Sequence, residues 1–373
     1  MKGTKWDTKH WVIHNAVDKT VENLVKHPHI QEAAQWINRD ELVAFPTETV
    51  YGLGANALSN QASMKIFEAK GRPSDNPLIV HIAHLEQLDG VVDNIPPLAE
   101  KLMKTCWPGP LTLVLAKGRN VCQTVTADLS TVAVRMPDHP VALALILASG
   151  KPLAAPSANR SGKPSPTSAE HVLHDLNGRI SGVLDGGMTG VGVESTVVDV
   201  TEEIPMILRP GGVTKEQLEQ IVGEVRVDPA LQAEGLDVRE KPRSPGVKYQ
   251  HYAPEGDMWL VGLEQGLEWM QQKIRQLVRE DRLKGYRVGV LTTDEGMSGY
   301  EADTVLSVGK REDLSTVTQR IYHVLREFDQ QGTQRIYAET FPIEGLGAAV
   351  MNRLHKAAGG KVIRFNSDLI SEK

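Results

Sequence analysis

The sequence predicts an α/β protein of two domains, and three observations carry that reading. Short apolar runs such as LIVHI (78–82) and STVVDVT (195–201) alternate with helix-spaced segments such as NQASMKIFEAKG (60–71). The 373 residues exceed what one ordinary core encloses. One stretch, REKPRSPGVKYQHYAPEG (239–256), breaks the alternation with prolines and glycines.

Taken in order, QEAAQWINRD (31–40) reads as a helix and ELVAFP (41–46) as a short buried strand. In 60–71, Ala62, Ile66 and Ala69 have helical spacing and Gly71 is placed to cap the C-terminus. PLIVHI is a strand, PLAEKLMKTCW (97–107) a helix and LTLVLAK (111–117) a strand. STVAVRMP (130–137) is a strand, HPVALALILASG (139–150) a buried helix and PLAAPS (152–157) a short strand. Thr167 with Glu170, and Thr214 with Gln217, have capping-box spacing at the starts of two further helices. Between those helices, GVLDGG, STVVDVT and PMILRPGG add strands. Several strands follow one another without a helix, so the sheet is expected to be mixed. Beyond the connector, YRVGVLTT (286–293) and RIYAETF (335–341) are strands among three helices, near 262–280, within 307–329 and closing on Gly359. That pattern predicts a smaller Rossmann-like unit. The expected domains are 1–225, a connector 226–256, and 257–373.

Composition narrows the function. A net charge of −6 argues against bulk electrostatic binding of nucleic acid or anionic lipid. Cys106 and Cys122 stand alone, without zinc-site or disulfide spacing. The start, MKGTKWDTKHWVIH, lacks a signal-like apolar stretch, and VALALILA (141–148) is too short to span a membrane. A cytoplasmic enzyme or binding protein is expected.

Five stretches could carry chemistry. KGRPSDNP (70–77) sets Lys70 and Arg72 between a helix end and a strand, where they can converge on an anion. The bland alternative is a solvated helix C-terminus favoured by the dipole. FPTETVYGLGAN (45–56) matches a dinucleotide fingerprint through Gly52, Gly54 and Ala57. The match is discounted, because TETVY separates it from the preceding strand. The alternatives are a polar substrate loop using Thr47 and Thr49, or a turn needing glycine dihedrals. APSANRSGKPSPTS (155–168) offers Ser157, Asn159, Ser161 and Ser165 to phosphate or ribose. It is not a P-loop, since Ser157 and Pro164 stand where glycine and Ser/Thr are required. GGMTGVGVESTVVDV (186–200) brings Glu194, Ser195 and Thr196 into a strand. Arg135 and Arg209 stand at strand ends, where an acidic protein partner is the common explanation and an anionic ligand the rarer one. No nucleophile motif stands out, and His81 alone reads as a core histidine.

Together these stretches resemble the YrdC-like threonylcarbamoyl-AMP synthase family. The resemblance runs from about residue 33 to 215 through FPTETVYGLG, Lys70-x-Arg72, NPLIVHI, WPGPLTLVL, VAVRMPDHP, APSANRSGKPSPT, ESTVVD and ILRPG. SPGVKYQHYAP (244–254) and the segment after it resemble the longer, two-domain branch.

The resemblance implies a YrdC-like twisted mixed sheet with helices around a large cavity. It implies a nucleotidyltransferase that joins L-threonine, bicarbonate or CO2, and ATP into threonylcarbamoyl-AMP and pyrophosphate, with Mg²⁺ accompanying ATP. A downstream tRNA threonylcarbamoyltransferase would use the product. Lys70 and Arg72 are the implied catalytic cations. Thr49, His81, Arg135 and Ser195 are implied around L-threonine, and Arg72, Asn76, Thr131, Ser157, Ser165 and Arg209 around ATP. Lys248, Tyr249 and His251 suggest that the aromatic-bearing connector closes as a lid. Metal ligands are not indicated, and neither stable nucleic-acid binding nor a membrane is expected. The rivals are a non-catalytic RNA-binding module, a carbamoyl-adenylate-handling transferase and, on the weak fingerprint, a dinucleotide oxidoreductase.

Overall fold

Every β-branched run predicted to be a strand becomes one, and most join a single sheet. The computed structural model describes residues 7–16, 19–231 and 251–365. The chain divides into two compact units, one of Met1–Ser161 with Ser165–Tyr249, the other of Gln250–Lys373 with the tripeptide Gly162–Pro164.

The first unit holds β1 (Lys9–Val12), β2 (Val43–Phe45), β3 (Gly52–Asn56), β4 (Ile79–His81), β5 (Leu111–Ala116), β6 (Thr131–Arg135), β7 (Leu153–Ala154), β8 (Gly182–Asp185), β9 (Thr196–Asp199), β10 (Met206–Arg209) and β11 (Arg226–Val227). They pair in the order β1-β8-β2-β3-β7-β4-β6-β5-β9-β10-β11, with parallel and antiparallel ladders interspersed, as the mixed-sheet reading required. Three of these strands were not foreseen. β1 lies in the N-terminal stretch that the family motifs do not cover, and it pairs with β8. β11 opens the expected connector and pairs with β10.

β3 is the instructive case, because its GLGAN was read as a loop or turn. Gly52 and Gly54 do not take positive φ angles. A Cβ on Gly54 would stand 2.7 Å from the Phe45 ring, so the glycine serves close strand packing rather than a turn. The dinucleotide fingerprint fails for the same reason: its glycines lie within a strand, not at the mouth of a helix.

Local chemistry explains the helix ends. Gly71 takes φ 62° and closes the helix Asn60–Lys70, which fixes where Arg72 leaves it. Thr214 and Gln217 form a complete capping box. The Thr167–Glu170 box is corrected: Ser168 is the cap, accepting from the His171 N–H, while Thr167 is fully buried behind it. Apolar side chains between sheet and helices form two large clusters on opposite sides of the sheet. A small third cluster of Ile79, Val114, Ala133, Val197 and Leu208 lies on the sheet.

The second unit is an all-parallel sheet of β12 (Asp257–Val261), β13 (Val288–Thr292), β14 (Thr304–Ser307), β15 (Arg335–Glu339) and β16 (Val362–Ile363), ordered β14-β13-β15-β12-β16. Helices Leu267–Leu283, Leu314–Gln330 and Leu346–Ala357 connect the strands, giving the expected Rossmann-like unit. No helix among the described residues is long and apolar enough to cross a membrane.

Candidate active site

Strand register builds the site. β4 and β6 run parallel with His81 opposite Arg135, β5 runs antiparallel to β6, β9 parallel to β5, and β10 antiparallel to β9 with Arg209 opposite Val197. One end of these five neighbouring strands therefore presents His81, Arg135, Thr112, Ser195 and Arg209. Segments far apart in sequence meet there because the pairing of the strands requires it.

Arg135 is 3% exposed. Its Nε donates to the Gly109 carbonyl at 3.1 Å and its Nη1 to Thr49 Oγ1 at 2.9 Å. Its Nη2 stands 2.6 Å from Glu48 Oε1 as an ion pair. The common explanation for a buried arginine thus applies, and Glu48 is a residue to which the sequence reading gave no role. Thr49 Oγ1 also lies 2.8 Å from Thr47 Oγ1, so Glu48 and Thr49 meet one guanidinium while Thr47 braces Thr49. His81, beside it, is pushed down to about 3 by burial and by the Arg135 charge, so its imidazole is neutral. Its Nδ1 meets the Ile79 carbonyl at 3.2 Å.

Arg209, expected with the nucleotide, holds Ser195, expected with threonine. It donates to the Ser195 carbonyl from Nε (3.1 Å) and Nη2 (2.9 Å), and to the Ser195 hydroxyl at 3.1 Å. That hydroxyl also lies 2.7 Å from Thr112 Oγ1. Next to it in the chain, Glu194 accepts from Ser165 Oγ at 2.6 Å.

A second group gathers where the helix Asn60–Lys70 hands over to β4. Lys70, 3% exposed, donates to the carbonyls of Ser157 (2.5 Å) and Asn159 (2.6 Å). Ser157 Oγ donates to Asn159 Oδ1 at 2.6 Å. Arg72, 9% exposed, reaches the Asn76 carbonyl at 3.5 Å. The Asn76 side chain is fully buried, and neither end of its amide has a hydrogen-bond partner among the described residues. An amide buried in that state is costly unless something completes it. Thr131 stands at this end of β6, on the face that Arg135 occupies about 13 Å along the strand.

Backbone bonds join the two groups. Tyr51 N–H donates to the Pro166 carbonyl, Ala158 N–H to the Tyr51 carbonyl, and Gly192 N–H to the Thr49 carbonyl. The 46–51, 155–168 and 186–195 loops thereby form one web over the sheet. The residues that motif spacing missed are Glu48 and Thr112; only the pairing of a lone buried arginine with a nearby acid could have pointed to Glu48.

Of the expected lid, Lys248 and Tyr249 lie outside the described residues. His251 is half-buried in the second unit, its ring 5.7 Å from that of Tyr252, which packs 5.1 Å from Tyr322. Among the described residues no three His, Cys, Asp or Glu side chains cluster as a metal cage.

Comparisons with known proteins identify the family of the chain. A family model described as "Telomere recombination" matches residues 35–211, and one described as "Threonylcarbamoyl-AMP synthase, C-terminal domain" matches residues 213–359. A Bacillus subtilis protein named threonylcarbamoyl-AMP synthase is 54% identical over 358 residues, spanning 96% of this chain and 99% of the relative. A Pyrococcus abyssi protein of the same name is 48% identical, spanning 92% and 98%. The crystal structure of P. abyssi Sua5 complexed with L-threonine superposes with a TM-score of 0.86 at 45% identity, covering 96% of this chain and 99% of that one. The chain belongs to the threonylcarbamoyl-AMP synthase family, in its long form with a YrdC-like domain followed by the family's C-terminal domain.

Proposed function

We propose that this chain is an L-threonylcarbamoyladenylate synthase. L-Threonine and bicarbonate (or CO2) give a carbamate, whose oxygen attacks the α-phosphorus of ATP. Pyrophosphate leaves and threonylcarbamoyl-AMP remains. A separate tRNA threonylcarbamoyltransferase then passes the group to tRNA, and the work is done in the cytoplasm.

The observation that carries this reading is the burial of four cations, Lys70, Arg72, Arg135 and Arg209, within one unit, with unfilled polar groups at Asn76 and Glu48. In-line displacement at phosphorus needs positioning and charge neutralisation more than a protein nucleophile, and no nucleophile motif is present. Lys70, Arg72, Asn76 and Ser157 take the phosphates, with Thr131, Ser165 and Arg209 assigned to the rest of the nucleotide. Thr49, His81, Arg135 and Ser195 surround L-threonine. A neutral His81 suits that role, because a positive imidazolium would repel the substrate's ammonium. Mg²⁺ accompanies ATP and neutralises phosphate charge; with no metal cage among the described residues, phosphates and water supply most of its ligands. The connector that carries Lys248, Tyr249 and His251 is assigned the protection of the mixed anhydride from water.

The test is pyrophosphate release from ATP dependent on both threonine and bicarbonate, with the acyl-adenylate identified by mass. Release that is independent of threonine would refute the assignment.

A further inference from the structure

The Glu48 carboxylate oxygens are buried without the hydrogen bonds such a group needs. Its side chain is 13% exposed. Neither oxygen receives a hydrogen bond among the described residues; the 2.6 Å contact with Arg135 is an ion pair. Arg135 Nη2 is unsatisfied in the same way, while its other nitrogens are anchored to Gly109 and Thr49. An isolated buried pair normally satisfies its remaining lone pairs and protons, or it costs stability. Here a donor site and an acceptor site face each other, both incomplete. A free amino acid is a zwitterion that completes both: its carboxylate takes Nη2 and its ammonium takes Glu48.

The geometry points to Glu48 as the group that binds the ammonium of the substrate amino acid and removes its proton. This rests on the synthase reading above. The step balances: R–NH3⁺, bicarbonate and the Glu48 carboxylate give R–NH–COO⁻, water and the Glu48 carboxylic acid. The N–C bond forms, a C–O bond of bicarbonate breaks, and the ammonium proton moves to Glu48. The charged and titratable groups around the pair are Arg135 and His81 on the sheet, with Asp138 and His139 on the segment after β6. Glu48 already acts on these last two. Partial burial and then the Glu48 charge push the Asp138 carboxyl up, against the pull of Arg135. Burial holds His139 down to about 4, against the pull of Glu48. His81 and His139 are therefore neutral at working pH, and Asp138, exposed on the rim, is the competing acid.

The experiment compares wild type, Glu48→Gln, Glu48→Asp and Asp138→Asn in the full chain. Threonine-dependent pyrophosphate release by wild type is measured first; its absence would refute the synthase reading itself. With wild type active, Glu48→Gln should lower kcat/KM for L-threonine by about 100-fold or more, leave the KM for ATP unchanged and move the acid limb of the pH profile upward. Glu48→Asp should restore part of the rate. Calorimetry without ATP supplies a readout that a structural role would not move. Wild type should prefer L-threonine over its 2-hydroxy analogue, which lacks the ammonium, and Glu48→Gln should lose that preference. If folded Glu48→Gln keeps both the preference and the pH profile, or if Asp138→Asn shows the losses instead, the proposal is overturned.

Discussion

Lys70 and Arg72 sit one residue apart, yet they do different things. Lys70 ends a helix and points three-pronged into the carbonyls of 157 and 159, while Arg72 lies beyond the Gly71 cap and turns toward Asn76. A lysine so placed is a positioned point charge, and replacing it also releases the 155–168 loop. Lys70→Ala and Arg72→Ala should each abolish threonine-dependent pyrophosphate release; turnover at the wild-type rate would refute their catalytic role. Asn76→Ala should behave differently. Because its buried amide lacks a partner, removal costs the unliganded protein little stability. The KM for ATP should nevertheless rise about tenfold, as expected for losing one hydrogen bond to a charged group. A melting curve and a KM measured on the same preparation separate the two effects. Motif spacing made Lys70, Arg72 and Asn76 legible. It could not reveal Glu48, whose importance appears only when a buried guanidinium is found 2.6 Å away.

Elements impose their own constraints. β2 and β3 pack so closely that only glycine fits at position 54, so Gly54→Ala should destabilise the first unit by about 1–3 kcal/mol, read as a lower urea midpoint. Buried histidines at strand and helix ends make the fold sensitive to acid. His81 and His139 titrate at about 3 and about 4 when folded, against 6.5 for the free side chain. Both folded values are depressed, so the unfolded chain binds more protons below pH 6.5. Stability is full above that pH and falls as pH drops through the window toward 4, by about 1.4 kcal/mol per pH unit for each histidine. His139 also caps its helix by accepting from the Val141 N–H, which protonation would prevent. His139→Asn keeps a capping acceptor and removes one titration. The slope of urea midpoint against pH should then flatten between pH 6.5 and 4; an unchanged slope would contradict the assignment. The mistaken cap at Thr167 belongs to this scale too. Thr167 and Ser168 are both good caps, and the burial of Thr167 decided between them.

At the scale of the molecule, the residues proposed for the site all belong to the first unit, whereas His251 belongs to the second. If the connector shields the product, its length matters more than the second unit itself. A chain ending at residue 254 should form threonylcarbamoyl-AMP and retain it. A chain ending at residue 238 should form it and lose it faster to hydrolysis, followed by mass over time; equal persistence would remove the lid from the account. An overall charge of −6 coexists with a strongly cationic interior because the site's arginines and lysine are buried and matched by carbonyls, hydroxyls and Glu48. Net charge therefore argues against bulk nucleic-acid binding but says nothing of a local anion site.

Apolar runs, glycine caps and ordered motifs were enough to fix the α/β class and most strands of the first unit, and to nominate residues for the site. These are local properties, written in periods of two and 3.6 residues and in short loops. Tertiary structure alone decided that GLGAN is a strand, that Arg209 serves Ser195, and that Glu48 faces Arg135. Each depends on which strands become neighbours, and ladder order brings together residues whose separation along the chain carries no trace of the contact.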